Sequence, residues 1–205
     1  MGRRSLHTAE ELRELIISAS TSLIRESGLG GLSAREIARR INYSPGTLYN
    51  SFENLDDLVL TIEGRLLDDL LTALAAVPAG GEPRERVHRL ANCYLDFAAR
   101  NPKLWNLLFE HNIPASQGVP ESYRQMFEAL MGTIEDALRP LSGELGAEDI
   151  KRAARVLWAG VHGIASLSAA DKQSVIDPGD ASALVDDLVR TYLSGLKAIA
   201  LDKAG

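Results

Sequence analysis

Apolar residues Ala34, Ile37, Ala38 and Ile41 recur at i, i+3, i+4 and i+7, the spacing of a short helix with one buried side. Arg35, Arg39 and Arg40 then fall on its outer face. Ser33 followed by Glu36 predicts a capping box at its start, hydroxyl to backbone N–H one way and carboxylate to backbone N–H the other. A second start signal follows almost at once: Ser44 as cap and Pro45 at the first helical position, where a missing N–H is harmless. Leu48 and Phe52, four apart, would pin this second short helix and turn Pro45, Gly46, Thr47, Tyr49 and Asn50 toward solvent. Upstream, Leu12, Leu15, Ile16, Ala19, Leu23 and Ile24 predict a longer helix over about 8–27, ended by Gly28. Two short helices across a gap that fits only a tight turn, backed by a longer one, have the shape of a helix-turn-helix head. Its small, polar and aromatic outer side suits a major groove about 12 Å wide, which makes double-stranded DNA the leading partner.

The pattern continues helically. Asn54 and Asp57 restart the chain, and Leu58, Ile62, Leu66 and Leu70 predict a linking helix to about residue 76. The Pro- and Gly-rich stretch 78–83 breaks it. Five more helices are predicted over about 83–100, 102–111, 119–139, 148–170 and 180–203. No stretch alternates as a strand would, so the expected fold is all-α, about nine helices, with a DNA-binding head over 1–55 and a helical effector-binding and dimerisation body over 56–205.

Composition narrows this picture. The 205 residues are 45% hydrophobic and 24% charged, ordinary for a globular protein. No apolar run approaches a membrane span and the first residues lead straight into a helix, so no membrane partner and a cytoplasmic location are expected. The formal net charge of −6 argues against a general nucleic-acid coat. Its distribution matters more: residues 1–55 carry 7 basic and 6 acidic side chains, the rest of the chain 15 and 22. Attraction for phosphate is confined to one end, where Arg3 and Arg4 form either a solvated arm or a groove contact.

Catalytic chemistry finds little footing. There is no Gly-x-Ser-x-Gly elbow, glycine-rich phosphate loop, His-Glu-x-x-His or paired-Cys set. His7, His88, His111 and His162 are scattered, and the single Cys93 sits in an apolar helical pattern. No enzyme activity, cofactor or metal is expected. Large side chains cluster in the middle of the body: Tyr94, Phe97, Trp105, Phe109, Met126, Phe127, Trp158 and His162. Such a stripe serves either as plain core or as the lining of a pocket for a small-molecule effector. Trp158 and His162 share a helix face, so the imidazole either orients a polar ligand group or satisfies a buried carbonyl. Leu184, Leu188, Tyr192 and Gly195 on the last helix, with Ala159 and Gly163 on the one before, offer a homodimer surface of four helices, unless their own subunit covers them.

Residues 8–58 resemble the tetracycline-repressor-like family of bacterial transcriptional regulators. The resemblance rests on the turn from Ser27 to Ser33, on Ile37-Ala38, on Ser44-Pro45-Gly46-Thr47-Leu48-Tyr49 and on Phe52. Matched by position, it implies that Thr47 and Tyr49 touch phosphates, that Tyr43, Pro45, Gly46 and Asn50 approach base edges or methyl groups, and that Ser33 and Arg35 contact the flanking backbone. Ser51 stands where the family usually has His or Tyr, and Leu55 where it usually has Lys, which predicts weaker DNA binding. Asn54, capping the linking helix, would offer its free N–H groups to a phosphate instead. Further on, the corner from Asn101 to Phe109 and the run Trp158-Ala159-Gly160-Val161-His162-Gly163 resemble the branch named for a Trp-His-Gly signature. That branch implies a ligand-sensing, dimer-forming body. The resemblance as a whole implies a regulator, a repressor above all, that binds a near-palindromic operator as a homodimer and is released by a small, largely apolar effector. A dimeric adaptor without an effector is the alternative, and a helical enzyme a more remote one.

Overall fold

The computed structural model describes residues 7–111, 120–143, 145–169, 177 and 180–204, with 109, 110 and 199–204 as backbone alone. Thr8 opens α1 (Ala9–Ser27) with a complete capping box: its hydroxyl accepts from the Glu11 N–H and the Glu11 carboxylate accepts from the Thr8 N–H. Gly28 ends the helix at φ +70°, a conformation in which only glycine is unstrained, and its N–H donates to the Ile24 carbonyl. The capping box read at Ser33 is half present. Ser33 accepts from the Glu36 N–H at the start of α2 (Ala34–Ile41), but Glu36 pairs its carboxylate with Arg39, which lies one turn on and offers a charge where the Ser33 N–H offers only a dipole. Asn42 closes α2 in the left-handed region at φ 59°.

The second short helix departs from expectation. Pro45–Asn50 is a 3-10 helix, and Ser44 makes no side-chain bond to its backbone; the Ser44 hydroxyl lies 3.0 Å from that of Thr47. Six residues that begin with a donorless proline and a glycine can close few i to i−4 bonds, so the tighter turn competes. The predicted pins hold: Leu48 and Phe52 are buried at 3% and 2% exposure.

Asn54 caps α3 (Leu55–Ala75) by accepting from the Asp57 N–H, while Asp57 accepts in turn from the Glu53 N–H. The other helices are α4 (Pro83–Arg100), α5 (Pro102–Glu110), α6 (Glu121–Leu138), α7 (Ala147–Ala169) and α8 (Ala181–Ala204), with a 3-10 turn at Arg139–Leu141. No strand occurs among the described residues. The expected starting residue of α6, Val119, lies outside them, as do Arg3 and Arg4.

The chain divides into two compact units. The first holds Met1–Leu66 with Lys103–Gly118, the second Leu67–Pro102 with Val119–Gly205. A cut at residue 55 therefore differs from the contacts in two places. The first half of α3 stays with the head because Leu58, Val59 and Ile62 are buried there. Helix α5 also joins it: Lys103 donates to the Glu26 carbonyl, and His111, just past the helix, reaches Glu63 and Asp56 of α3. In the second unit, α4 and α6 pack on α7, and α8 packs on α4 and α7. No helix among the described residues is long and apolar enough to cross a membrane.

Candidate functional site

Leu48 and Phe52 hold the Pro45–Asn50 turn from beneath, which leaves Pro45, Gly46 and Asn50 exposed, Tyr49 56% exposed and Thr47 half-buried. Tyr43, half-buried, meets the Nδ1 of His7 through its hydroxyl at 2.7 Å. Ser33 uses its hydroxyl as a cap, and so does Asn54 its side-chain oxygen. Arg35 is exposed and has no ion-pair partner among the described residues. The other two arginines of α2 are committed: Arg39 to Glu36, and Arg40 to Glu26 through two contacts of 2.7 Å. These pairings hold the Glu36 and Glu26 carboxyls below the usual carboxylate range. Of the three arginines of α2, Arg35 is thus the one left without an ion pair among the described residues.

Arg13, which the sequence reading passed over, organises the far end of this surface. Its guanidinium lies 4.2 Å from the centre of the Phe52 ring, donates to the Ser51 carbonyl at 2.7 Å and reaches the Thr61 hydroxyl at 3.5 Å. One side chain of α1 therefore ties the end of the Pro45–Asn50 turn to α3. In the same unit, His111 bridges Glu63 at 3.0 Å and Asp56 at 3.3 Å, one ring nitrogen to each. Burial pushes the Glu63 carboxyl up to about 7, against the pull of His111. The two ring nitrogens face opposite ways, and no group of three or more His, Cys, Asp or Glu among the described residues is placed to hold a metal ion.

The second unit contains a narrow cleft of about 430 Å³, counted out to its open side. Its walls are Leu74, Val87, Leu90, Ala91, Tyr94, Leu130, Thr133, Ile134, Ala137, Leu157, Trp158 and Val161. None carries a formal charge. Two of the eight sequence candidates, Tyr94 and Trp158, are wall residues. His162 stands behind Tyr94, its Nδ1 2.6 Å from the Tyr94 oxygen, and stacks on Trp158 with ring centres 5.0 Å apart. Phe127 meets Trp158 edge-on at 5.2 Å. Phe97 and Trp105 are buried, Trp105 in the first unit at 1% exposure, and Met126 is half-buried outside the cleft wall. The side chain of Phe109 lies outside the described residues. The aliphatic lining drew less notice in the sequence because an aliphatic residue at helical spacing carries no sign of whether it faces a cavity or a neighbour.

Desolvation sets the chemistry of the polar end. It lowers the His162 imidazole to about 4, so the ring is neutral near pH 7, and raises the Tyr94 phenol well above its ordinary value, against the hydrogen bond from Trp158. Cys93 donates weakly to the Ala73 carbonyl, and burial pushes its thiol up, away from reactivity.

The dimer candidates separate into two groups. A Cβ on Gly160 would sit 2.7 Å from the Leu188 Cδ2, and the Tyr192 hydroxyl donates to the Ala153 carbonyl, so Leu188 and Tyr192 serve the packing of α8 on α7 within one subunit. Ala159, Leu184 and Gly195 are exposed and Gly163 is half-buried. Val156, 51% exposed, and Leu167, 45% exposed, extend the same stripe of α7 and were not singled out in the sequence.

Comparison with known proteins places these features. A family model described as bacterial regulatory proteins, tetR family, matches residues 16–62. A second, described as tetracyclin repressor-like, C-terminal domain, matches residues 87–192. An uncharacterized HTH-type transcriptional regulator of Mycobacterium tuberculosis is 25% identical over 186 residues, 90% of this chain and 81% of that protein. Among solved structures, a Rhodococcus sp. RHA1 protein of unknown function is similar at a TM-score of 0.74 and 24% identity, covering 96% of this chain and all of that one. Thermus thermophilus FadR, a TetR family transcriptional repressor solved in complex with lauroyl-CoA, is similar at a TM-score of 0.63 and 27% identity, covering 89% of this chain and 94% of that one.

Proposed function

Since the chain belongs to the tetracycline-repressor-like family of DNA-binding transcriptional regulators, we propose that it acts as a repressor, binding a near-palindromic operator as a homodimer and leaving it when a small, largely apolar effector enters the body. The observation that carries this reading is the Pro45–Asn50 turn, in which Leu48 is buried, with Phe52 buried just beyond it, while Tyr49 and Asn50 stand out in solvent. Tyr49 offers a ring face and a phenol hydroxyl there, and Asn50 an amide, groups suited to phosphate and base-edge contacts. Tyr49 and Thr47 are the proposed phosphate contacts, and Pro45, Gly46, Tyr43 and Asn50 the proposed groove contacts. Ser33 and Arg35 flank them, and the first N–H groups of α3 behind Asn54 offer a further phosphate site.

One short reading turn spans only a few base pairs, so the proposed dimer doubles it. Two-fold symmetry sets the turns into successive major grooves about 34 to 36 Å apart. Val156, Ala159, Gly163 and Leu167 on α7, with Leu184 and Gly195 on α8, are the proposed faces of a four-helix contact between subunits. The effector reading is supported by the uncharged, mostly aliphatic wall of the cleft, and by the acyl thioester found with the Thermus protein. Because α3 contributes Leu74 to that wall and begins at the capped turn beside the DNA face, it is the proposed path between the two sites. An effector that favours one arrangement of the dimer lowers DNA affinity by the same factor by which DNA lowers effector affinity.

The test is a gel shift on a duplex recovered by selection. Tyr49→Ala and Thr47→Ala should each weaken binding about tenfold, the effect of roughly 1.4 kcal/mol of lost contact, with the sedimentation of the free protein unchanged. Undiminished binding by both variants would remove this face from the interface.

A further inference from the structure

Resting on the reading of the first turn of α3 as a phosphate contact, we infer that the DNA-binding unit carries a proton-linked latch: His111, held between Glu63 and Asp56, keeps one exchangeable proton more firmly in the DNA-bound protein than in the free one, so operator affinity rises with acidity. His111 fastens the end of α5 to α3, its Nδ1 3.0 Å from the Glu63 Oε1 and its Nε2 3.3 Å from the Asp56 Oδ1. The ring and the Glu63 side chain are 5% and 4% exposed, which leaves little room for water to replace a lost partner, whereas the Asp56 side chain is 43% exposed. Among the described residues, Glu63 is the one carboxylate-bearing residue that is buried.

The bonding pattern fixes a proton count. An ionised carboxylate only accepts, and a neutral imidazole donates from one nitrogen and accepts at the other. Bonds from both ring nitrogens to carboxyl oxygens therefore need two protons among the three groups. An imidazolium between two carboxylates supplies them, and so does a neutral ring that donates to Asp56 and accepts from a protonated Glu63. Both arrangements carry one net negative charge and differ only by the shift of a proton along the Glu63–His111 bond. Loss of one proton adds a negative charge and leaves a single proton for two contacts. The ring then gives it to Glu63, whose buried carboxylate has no other donor, and the contact that opens is the one to Asp56, which water can reach.

Burial holds the Glu63 carboxyl up at about 7 against the pull of His111, so this loss falls in the neutral range. Other charged groups on α1, α3 and α5 of this unit are engaged elsewhere. Glu14 pairs with Arg65, Arg13 lies on the Phe52 ring, Asp57 accepts from the Glu53 N–H, and Lys103 donates to the Glu26 carbonyl. Asp56 itself lies in the first turn of α3, behind the Asn54 cap, among the N–H groups proposed to meet a phosphate. While His111 donates to it, its charge is answered. Once that contact opens, a bare carboxylate stands beside the incoming phosphate. DNA therefore favours the protonated trio, and by reciprocity the protonated trio favours DNA.

The test is binding of the selected duplex, followed by fluorescence anisotropy at constant ionic strength between pH 6 and pH 8.5. Wild-type affinity should fall about tenfold for the dimer across this range, roughly threefold from each subunit. Glu63→Gln, whose amide donates to Nδ1 as the protonated acid does, should keep the acid-range affinity at every pH. Asp56→Asn, at a partly exposed position, removes the repelling carboxylate and should flatten the profile as well, so it keeps the test open should Glu63→Gln fail to fold. Any slope contributed by His7 at Tyr43 is common to all three proteins and cancels in the comparison. A wild-type profile that is flat or rises with pH, or a slope that both variants share in full, would overturn the latch. Tyr49→Ala, run alongside, tells that outcome from failure of the proposed DNA face: it weakens binding at every pH if the face is right, and binding as tight as wild type would overturn the face and the latch with it.

Discussion

Arg13 shows how one side chain can hold a proposed interface that it does not belong to. Its hydrogen bond to the Ser51 carbonyl and its place over the Phe52 ring fix the end of the Pro45–Asn50 turn. Arg13→Ala should lower stability by about 1–2 kcal/mol, a charge-assisted hydrogen bond and a cation–π contact discounted for partial exposure. It should also weaken DNA binding, read by urea unfolding and gel shift on the same preparation. Arg13→Lys should recover only part of either, because an ammonium cannot serve the carbonyl, the Thr61 hydroxyl and the ring together. At the other end of the chain His162 makes a pH prediction. Its imidazole titrates at about 4 in the folded protein, against about 6.5 when unfolded. Below 6.5 the unfolded chain takes up the proton first, so the contribution of this group is complete above pH 6.5 and is lost as pH falls toward 4. After discount for its partial exposure the loss is about 2 kcal/mol. Urea unfolding of wild type and His162→Gln between pH 4.5 and 7.5 should converge at the acid end by roughly that amount; parallel curves would contradict the burial of the neutral ring.

At the scale of elements, helix positions were readable in the chain because apolar spacing is a local signal. α4 over Pro83–Arg100 coincides with its predicted bounds, and the predicted pins Leu48 and Phe52 are buried. The type of the second short helix was not readable, since a hydrophobic period cannot separate an α turn from a 3-10 turn within six residues. The capping signals show the same limit. Thr8 and Glu11 carry the full motif, while Ser33 and Glu36 carry it and form half, because whether Glu36 turns back to the serine or forward to Arg39 depends on a competing charge one turn away. In the cleft, the sequence pointed to aromatics, and the structure lines it mainly with aliphatics, keeping Trp105 and Phe97 for core. Which face of a helix meets a cavity is set by its neighbours, and single-chain periodicity contains no record of them. The glycines of α7 make this distinction testable. Gly160→Leu places bulk against Leu188 and should destabilise the subunit by about 1–3 kcal/mol. Gly163→Leu enters open space, with nothing within 4 Å of a Cβ, and should leave unfolding in urea nearly unchanged while weakening self-association measured by sedimentation. Equal effects of the two on stability would remove Gly163 from the proposed subunit contact.

For the whole molecule, the separation of roles follows from the distribution of charge and of apolar surface. The first 55 residues have a slight excess of basic groups and a polar reading turn, and the acidic remainder repels DNA while enclosing an uncharged cleft. With Ser51 and Leu55 in place of the residues the family usually carries, the proposed interface should make fewer phosphate contacts, and its affinity should depend less steeply on salt than in relatives that keep them. Selection of bound duplexes from a random pool, followed by protection mapping of the winner, decides whether the Pro45–Asn50 turn reads DNA in pairs. The winner should be a near-palindrome protected in two major grooves on one face, centres one helical repeat or a small multiple apart, with enrichment lost for Tyr49→Ala. A pool that converges on nothing, or on a single asymmetric site that Tyr49→Ala binds equally well, would contradict this reading.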